Sequence, residues 1–514
     1  MSYIQGSHRA QLQMLCIEDC VSQRSPCRVV DAFVDYLDLE GLAFKIKGNK
    51  RTGRPAYQLE HMLKLYLYGY LNRVRSSRRL QRECETNLEA MWLLEGLRPC
   101  YKTISDFRKD NPKGLKSVFR QLNVFLKGED LFQGDTVAID GSKFRAQNSK
   151  KNNYNARKVE QQLNYIDKQT DKWLEELDTV DQLEDTEIKE EQLMDIDERL
   201  NDLHQRRNKY ESISKELESV KESGQRQVSS VDKDARALPK HMNIVEVGYN
   251  IQSTVESEDK LIVDFEVTNE NDTYALSRNA IRAKELLGKE RLKVLADKGY
   301  DTGHELKKCA ENDIETYVCP RQKNGSTKAP KYRKDKFDYD HDSDCYTCPN
   351  GEKLISNGRW YQKKKATNNR PAYEVKIYKT RYEICNACPF REACAGVANL
   401  NNSKGRVIER SAYDDYLEDN RERVKLNKSL YRERQAIVEH PFGTIKRQWG
   451  YDYTLLRTKQ KVEGEFSLIF TAYNLRRAMS IFGVKSLIER LKKAFLVLLT
   501  IFTTLSLVSA LKTT

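Results

Sequence analysis

The chain has 514 residues, with 89 Lys plus Arg against 76 Asp plus Glu and a net charge of +13 at pH 7. That length carries about three domains or one large fold with insertions, and 39% hydrophobic with 32% charged residues places it in the soluble globular class. The basic excess points to a polyanion partner without naming it. No charged n-region followed by an apolar h-region opens the sequence, so the reducing cytoplasm is the expected compartment. There the 12 cysteines read as thiols or metal ligands rather than a disulfide framework.

In chain order, positions 31–112 predict a run of short helices. Leu59, Met62, Leu63, Tyr66, Leu67 and Tyr70 keep helical spacing, and a turn is expected at 72–75. Ser76 or Ser77 caps a second helix reaching Glu85, a third starts near Asn87, and Thr103 caps a fourth that carries Ile104, Phe107 and Arg108. Lys45, Lys47, Lys50, Arg51, Arg54, Lys64, Arg73, Arg75, Arg78, Arg79 and Arg82 are opposed only by Glu60 over this stretch. A compact helical unit with a basic stripe suits a DNA-binding module of helix-turn-helix type. Arg73, Arg75, Arg78 and Arg79, around the start of the second helix, are its expected DNA contacts; the alternative is a solvated helix face.

From 136 onward the pattern turns to strands. Val137 and Ile139 alternate with Ala138 and Asp140, 247–255 and 261–267 form a hairpin, and a helix at 272–287 leads to a strand at 293–296. A short helix at 304–312 and a strand at 314–318 follow, which predicts a mixed sheet with helices packed on it. Two insertions interrupt that sheet. In the first, Val159, Leu163, Ile166, Trp173 and Leu177, then Leu193, Ile196, Leu200, Leu203, Tyr210, Ile213, Leu217 and Val220, describe a helical hairpin with a charged surface, a solvated face or dimer arm. The second holds Cys345 and Cys348, then Cys385 and Cys388, then Cys394. Two C-x-x-C pairs suit tetrahedral thiolate coordination of a structural Zn²⁺. Cys345, Cys348, Cys385 and Cys388 are the expected ligands with Cys394 a fifth candidate, while an iron–sulfur cluster and plain reduced thiols stay open. Residues 494–511 are uncharged and long enough to span a bilayer, but Thr500, Thr503, Thr504, Ser506 and Ser509 dilute them, so an apolar tail rather than a membrane anchor is expected.

Three acids stand in unusual places. Asp140 closes an apolar strand before Gly141, Asp297 closes Val294-Leu295-Ala296 before Lys298-Gly299-Tyr300, and Glu439 lies within Ile437-Val438-Glu439-His440-Pro441. Singly, each Asp is an ordinary strand-end turn residue. Brought together they would be like charges needing a divalent cation, and paired ions can activate a water or 3′-hydroxyl against a phosphodiester.

The blocks VAIDGSKFRA (137–146), VGYNIQSTV (247–255), VLADKGYDT (294–302), VEHPFGTIKRQWGY (438–451) and EFSLIFTAYNLRRA (465–478), with the helical stretch 54–84 and TISDFRKDN (103–111), resemble bacterial insertion-sequence transposases of the DDE class. The similarity is to the subgroup with a helical N-terminal domain and a cysteine-rich insertion. It implies an α+β or α/β fold, an RNase H-like mixed sheet flanked by helices. It also implies an Asp140, Asp297, Glu439 triad holding Mg²⁺ or Mn²⁺, with Lys446, Arg434 and Tyr431 toward DNA. Lys446 keeps the family's separation from Glu439; Arg434 lies five residues before Glu439 where the family has four, and Gln435 takes that place. Pro441 is expected to kink the Glu439 helix. The implied activity is binding of the element's terminal inverted repeats, cleavage at each end, and joining of 3′-hydroxyls to target DNA by a homodimer in the bacterial cytoplasm. An RNase H-like nuclease without joining, or a non-catalytic DNA-binding derivative, are the alternatives. The expected domains are a helical DNA-binding domain (1–125), a catalytic domain in three parts (126–155, 226–325, 406–485), the helical hairpin (156–225), the cysteine-rich zinc insertion (326–405) and the apolar tail (486–514).

Overall fold

Among the described residues, six helices come first: α1 (Pro26–Tyr36), α2 (Leu59–Leu71), α3 (Ser77–Thr86), α4 (Leu88–Leu93), α5 (Tyr101–Asp110) and α6 (Pro112–Gly128). The computed structural model describes residues 16–45, 55–181, 186–221, 226–239, 244–321, 330–363, 372–394 and 405–512. Lys47, Lys50, Arg51 and Arg54 of the basic stripe, and the side chains of 501–511 in the apolar tail, lie outside the described residues. Pro26 and Pro112 stand in the first turns of α1 and α6, where a missing N–H costs nothing, and Asn87 caps α4 by accepting from the N–H groups of Glu89 and Ala90. α2 is buried from Met62 to Tyr70 because α1, α4 and a later long helix enclose it. Even Lys64 is covered, its ammonium 2.6 Å from Asp31 and 2.8 Å from Asp35. α5 begins two residues before the Thr103 cap expected from sequence. The reason is tertiary, since Gln81 Oε1 of α3 accepts from the Tyr101 N–H at 2.7 Å and supplies the cap from outside the segment.

The central sheet contains β1 (Thr136–Arg145), β4 (Arg236–Pro239), β5 (Val245–Glu256), β6 (Ile262–Thr268), β7 (Leu292–Ala296) and β8 (Ile314–Val318). β1 pairs antiparallel with β5 and parallel with β7, β7 pairs parallel with β8, and the far edge of β5 is shared by β4 and β6. Helices α9 (Leu276–Leu287) and α10 (Gly303–Ala310) make the connections on either side of β7. Ile139 pairs with Ala296 in the parallel register, so Asp140 and Asp297 emerge side by side where β1 outruns β7.

A helix at Lys459–Phe482 packs against α6, α2 and β6. Its Phe466 meets Phe144 edge-on at 4.7 Å, and its Phe470 meets Phe265 at 4.9 Å. Gly464 is required there, since a Cβ would come within 2.7 Å of Pro112 Cα. The N-terminal helices and the sheet therefore share one core.

Between β1 and β4 the chain makes short strands β2 (Asn153–Tyr154) and β3 (Val228–Ser229), which pair, and two helices, α7 (Ala156–Asp181) and α8 (Thr186–Lys221), packed on each other. Tyr154, Val159, Ile213, Leu217 and Val228 form a separate small core at their base. Residues 338–411 contain a second sheet, order β12-β13-β11-β10-β9 with β14 on β13, around Phe337, Tyr346, Leu354, Tyr378 and Ile408. Its strands are β9 (Asp338–Asp340), β10 (Cys345–Thr347), β11 (Lys353–Ser356), β12 (Tyr361–Gln362), β13 (Glu374–Lys379) and β14 (Val407–Ser411). The helix carrying Glu439 runs from Lys428 to Phe442, and Pro441 falls at its end, where an α pattern gives way to a π turn at Gly443–Gln448. Among the described residues, no helix is long and apolar enough to cross a membrane.

Candidate active site

Asp140 is half-buried at the point where β1 leaves the shelter of β7. Burial pushes its carboxyl up to about 7, and the charges of Asp297 and Asp272 act in the same direction while Arg434 opposes them. Asp297 ends β7 and caps the following turn, accepting from the Gly299 N–H at 2.6 Å. The structure thus brings the two sequence-predicted aspartates into one electrostatic neighbourhood.

It also brings a third that the sequence reading passed over. Asp272 begins the short turn ahead of α9, and its Oδ1 accepts from Asn250 Nδ2 at 2.8 Å and Gln252 Nε2 at 2.7 Å. Gln252 in turn accepts from the hydroxyl of the fully buried Tyr300, whose own ionisation is suppressed by burial and by Asp272, Asp140 and Asp297. The signal for this network was present in β5, where polar Asn250 and Gln252 interrupt an apolar strand and are both 0% exposed.

The Glu439 helix lies against β1, β5 and β7, seated by buried Ile437 and Val438. Arg434 acts on Asp140 from this helix and hydrogen bonds with Tyr431, which also meets Cys319 at the end of β8. Gln435, in the position where the family pattern has arginine, donates to Glu439 Oε1 at 2.8 Å, and the Glu439 carboxylate is exposed. One turn past Pro441, Lys446 donates to the Lys143 carbonyl at 2.7 Å and lies 4.1 Å from the Phe144 ring, pinning the π turn to β1.

The four N-terminal arginines divide. Arg73, Arg78 and Arg79 are exposed, with Arg78 stacked 4.8 Å over Tyr101. Arg75 is a correction to the expected DNA contacts. It is 7% exposed, donates to the Tyr453 carbonyl at 2.9 Å, pairs with fully buried Glu465 at 3.4 Å, and lies between the rings of Tyr451 and Tyr453 at 4.2 and 4.7 Å. Its guanidinium is engaged by the chain's own carbonyl, carboxylate and rings.

The cysteines also regroup. Cys348, Cys385, Cys388 and Cys394 line one cavity of about 40 Å³ with Tyr332, Phe390 and Arg406. Burial pushes the Cys394 thiol up to about 11, with Arg406 pulling the other way. Cys345, expected as a ligand, does not line that cavity; it is buried in β10 with its sulfur 3.0 Å from Ser343 Oγ. Among the described residues the set of three metal-capable groups within 4.8 Å of one another is His341, Asp415 and Glu418. Arg410 pairs with both of those carboxylates.

Comparison with known families identifies the chain's class. Residues 15–110 match a transposase domain (DUF772), and residues 347–479 match a transposase DDE domain. The chain is a DNA transposase of the DDE class, an enzyme of metal-dependent DNA cleavage and transfer. The second match contains Glu439, Tyr431, Arg434, Lys446 and the cysteines lining the cavity, while Asp140 and Asp297 lie ahead of it. No curated protein matches the chain. Among solved structures it is similar to a piggyBac transposase synaptic complex with hairpin DNA, at 8% identity and TM-score 0.32 over 93% of this chain and 80% of that one, a likeness too faint to carry an argument.

Proposed function

We propose that this transposase cuts and joins DNA at a site formed by Asp140, Asp297 and Glu439 on an RNase H-like sheet. The observation that carries the reading is the strand order. An antiparallel β6-β5-β1 set continues as parallel β7 and β8, with Asp140 inside β1 just beyond its last pair with β7, Asp297 directly after β7, and the Glu439 helix packed against β1, β5 and β7. Asp140 and Asp297 have no Lys or Arg nitrogen within 4.0 Å among the described residues, so their charges suit Mg²⁺ or Mn²⁺. Such ions stabilise charge on the phosphate and supply a nucleophile at neutral pH. Asp140 and Asp297 would hold them from the sheet, and Glu439 would complete the set by turning from Gln435 toward β1. Arg434, held by Tyr431, balances the acids, and Lys446 sits where a backbone phosphate would pass along β1.

The helical region 1–125 is assigned to recognition of the element's terminal inverted repeats, through exposed Arg73, Arg78 and Arg79. Two such ends call for a homodimer, to which the α7–α8 arm is suited. Cys348, Cys385, Cys388 and Cys394 are the ligand set we assign to a structural Zn²⁺, their sulfurs drawing together around it. The test is a strand-transfer assay with end DNA and a target duplex. Wild type should cut and join in Mg²⁺ while Asp140→Asn and Asp297→Asn bind the ends and do neither; cutting without joining would establish the nuclease alternative.

A further inference from the structure

We propose that Asp272 is a fourth carboxylate of the metal pocket, supplied from the turn before α9. This rests on the active-site reading above and adds a residue that no spacing pattern marks. The main chain makes room for it. A Cβ on Gly141, the residue after Asp140, would lie 2.1 Å from Asp272 Oδ1, and a Cβ on Gly299, two residues after Asp297, would lie 3.5 Å from Asp272 Oδ2. Gly141 therefore gives up a side chain at the place this carboxylate occupies, while Gly299 lies in ordinary contact with it and is kept bare by Asp297 Oδ1, 2.7 Å from its Cβ position.

A purely structural role explains less. Asn250 and Gln252 donate only to Oδ1, and among the described residues Oδ2 receives no hydrogen bond and no Lys or Arg nitrogen lies within 4.0 Å. Two neutral amides satisfy lone pairs but leave the charge uncompensated, and an asparagine would serve them as well. Asn250 adds an independent pointer: its buried Oδ1 has no partner and lies 2.9 Å from the Gly141 Cβ position. At Asp140 the charges of Asp297 and Asp272 act together against the guanidinium of Arg434. The deficit matches a divalent cation.

The experiment is calorimetric titration of Mn²⁺ into the full chain without DNA, for wild type, Asp272→Asn and Asp297→Asn, with cleavage measured against Mg²⁺ concentration. Asp272→Asn keeps acceptors for both amides and removes only charge. It should weaken Mn²⁺ binding at least tenfold and raise the Mg²⁺ needed for half-maximal cleavage similarly, with the metal-free unfolding midpoint unchanged or higher. If Asp272→Asn does not fold, Asp272→Ser, which keeps one acceptor in less volume, carries the same expectation. Binding lost in Asp297→Asn but intact in Asp272→Asn overturns this proposal alone. No Mn²⁺ binding by wild type overturns the active-site reading and this proposal with it.

Discussion

Asp140→Asn should inactivate the enzyme and, without metal, stabilise it. Folding moves the Asp140 carboxyl from the ordinary 3.8 to about 7, with burial the largest cause. At ~1.4 kcal/mol per pH unit the ceiling is about 4 kcal/mol, of which roughly half survives screening by the solvent that reaches a half-buried group. The direction follows from proton counting. Between those two values the unfolded chain has released its proton and the folded chain retains it, so stability falls as pH rises from about 4 to about 7. Above that range wild type carries the full cost, and the amide carries none. Chelated wild type should therefore lose roughly 2 kcal/mol between pH 4.5 and 8 from this group, and Asp140→Asn should remove that slope and unfold several degrees higher at pH 8. Mg²⁺ should raise the wild-type midpoint and leave the variant's unmoved. Thermal unfolding with chelator and with Mg²⁺ across pH reads all of this; a variant less stable than wild type at pH 8 without metal refutes the reasoning.

Gln435→Ala removes the hydrogen bond that Gln435 donates to Glu439 and frees that carboxylate to turn toward β1, so cleavage should be retained or rise by up to about fivefold, the worth of one hydrogen bond; a large loss in single-turnover cleavage would assign Gln435 a DNA contact instead. Arg75→Ala leaves the buried Glu465 charge unpaired and should cost about 3–5 kcal/mol in unfolding experiments. Arg73→Ala, Arg78→Ala and Arg79→Ala should leave stability alone, each lowering the salt slope of end-DNA binding by about one. Metal analysis of purified protein should give about one zinc per chain, lost in Cys394→Ser and kept in Cys345→Ser.

Local chemistry made part of this legible. Asp140 and Asp297 stood out because each follows an apolar run that only a core strand would carry, and the mixed sheet was readable from a hairpin followed by strands separated by helices. What escaped depends on partners far along the chain. Arg75 reads like Arg78 until Glu465, 390 positions later, is seen beneath it. Asp272 reads as an ordinary helix-start acid because Gly141 and Gly299 come to it from two other segments. Cys345 satisfies the C-x-x-C spacing, yet its strand buries it away from the cavity, while Cys394 arrives from a short helix at Arg391–Cys394. The strands of the second sheet run two to six residues, too short for alternation to declare itself.

The burial of Arg75 has a mechanical consequence. Its guanidinium ties the segment just ahead of α3 to Tyr453, whose neighbours hydrogen bond with Arg145 at the end of the strand that bears Asp140. With Pro112 packed on Gly464 as a second contact, the helices assigned to reading DNA and the strand assigned to cutting it share one packed core. On the proposed assignments the protein would act as a caliper. The distance from bound sequence to severed bond would be set in folded matter rather than by a tether, and base pairs inserted into the DNA between them would move the cut along the sequence instead of being absorbed.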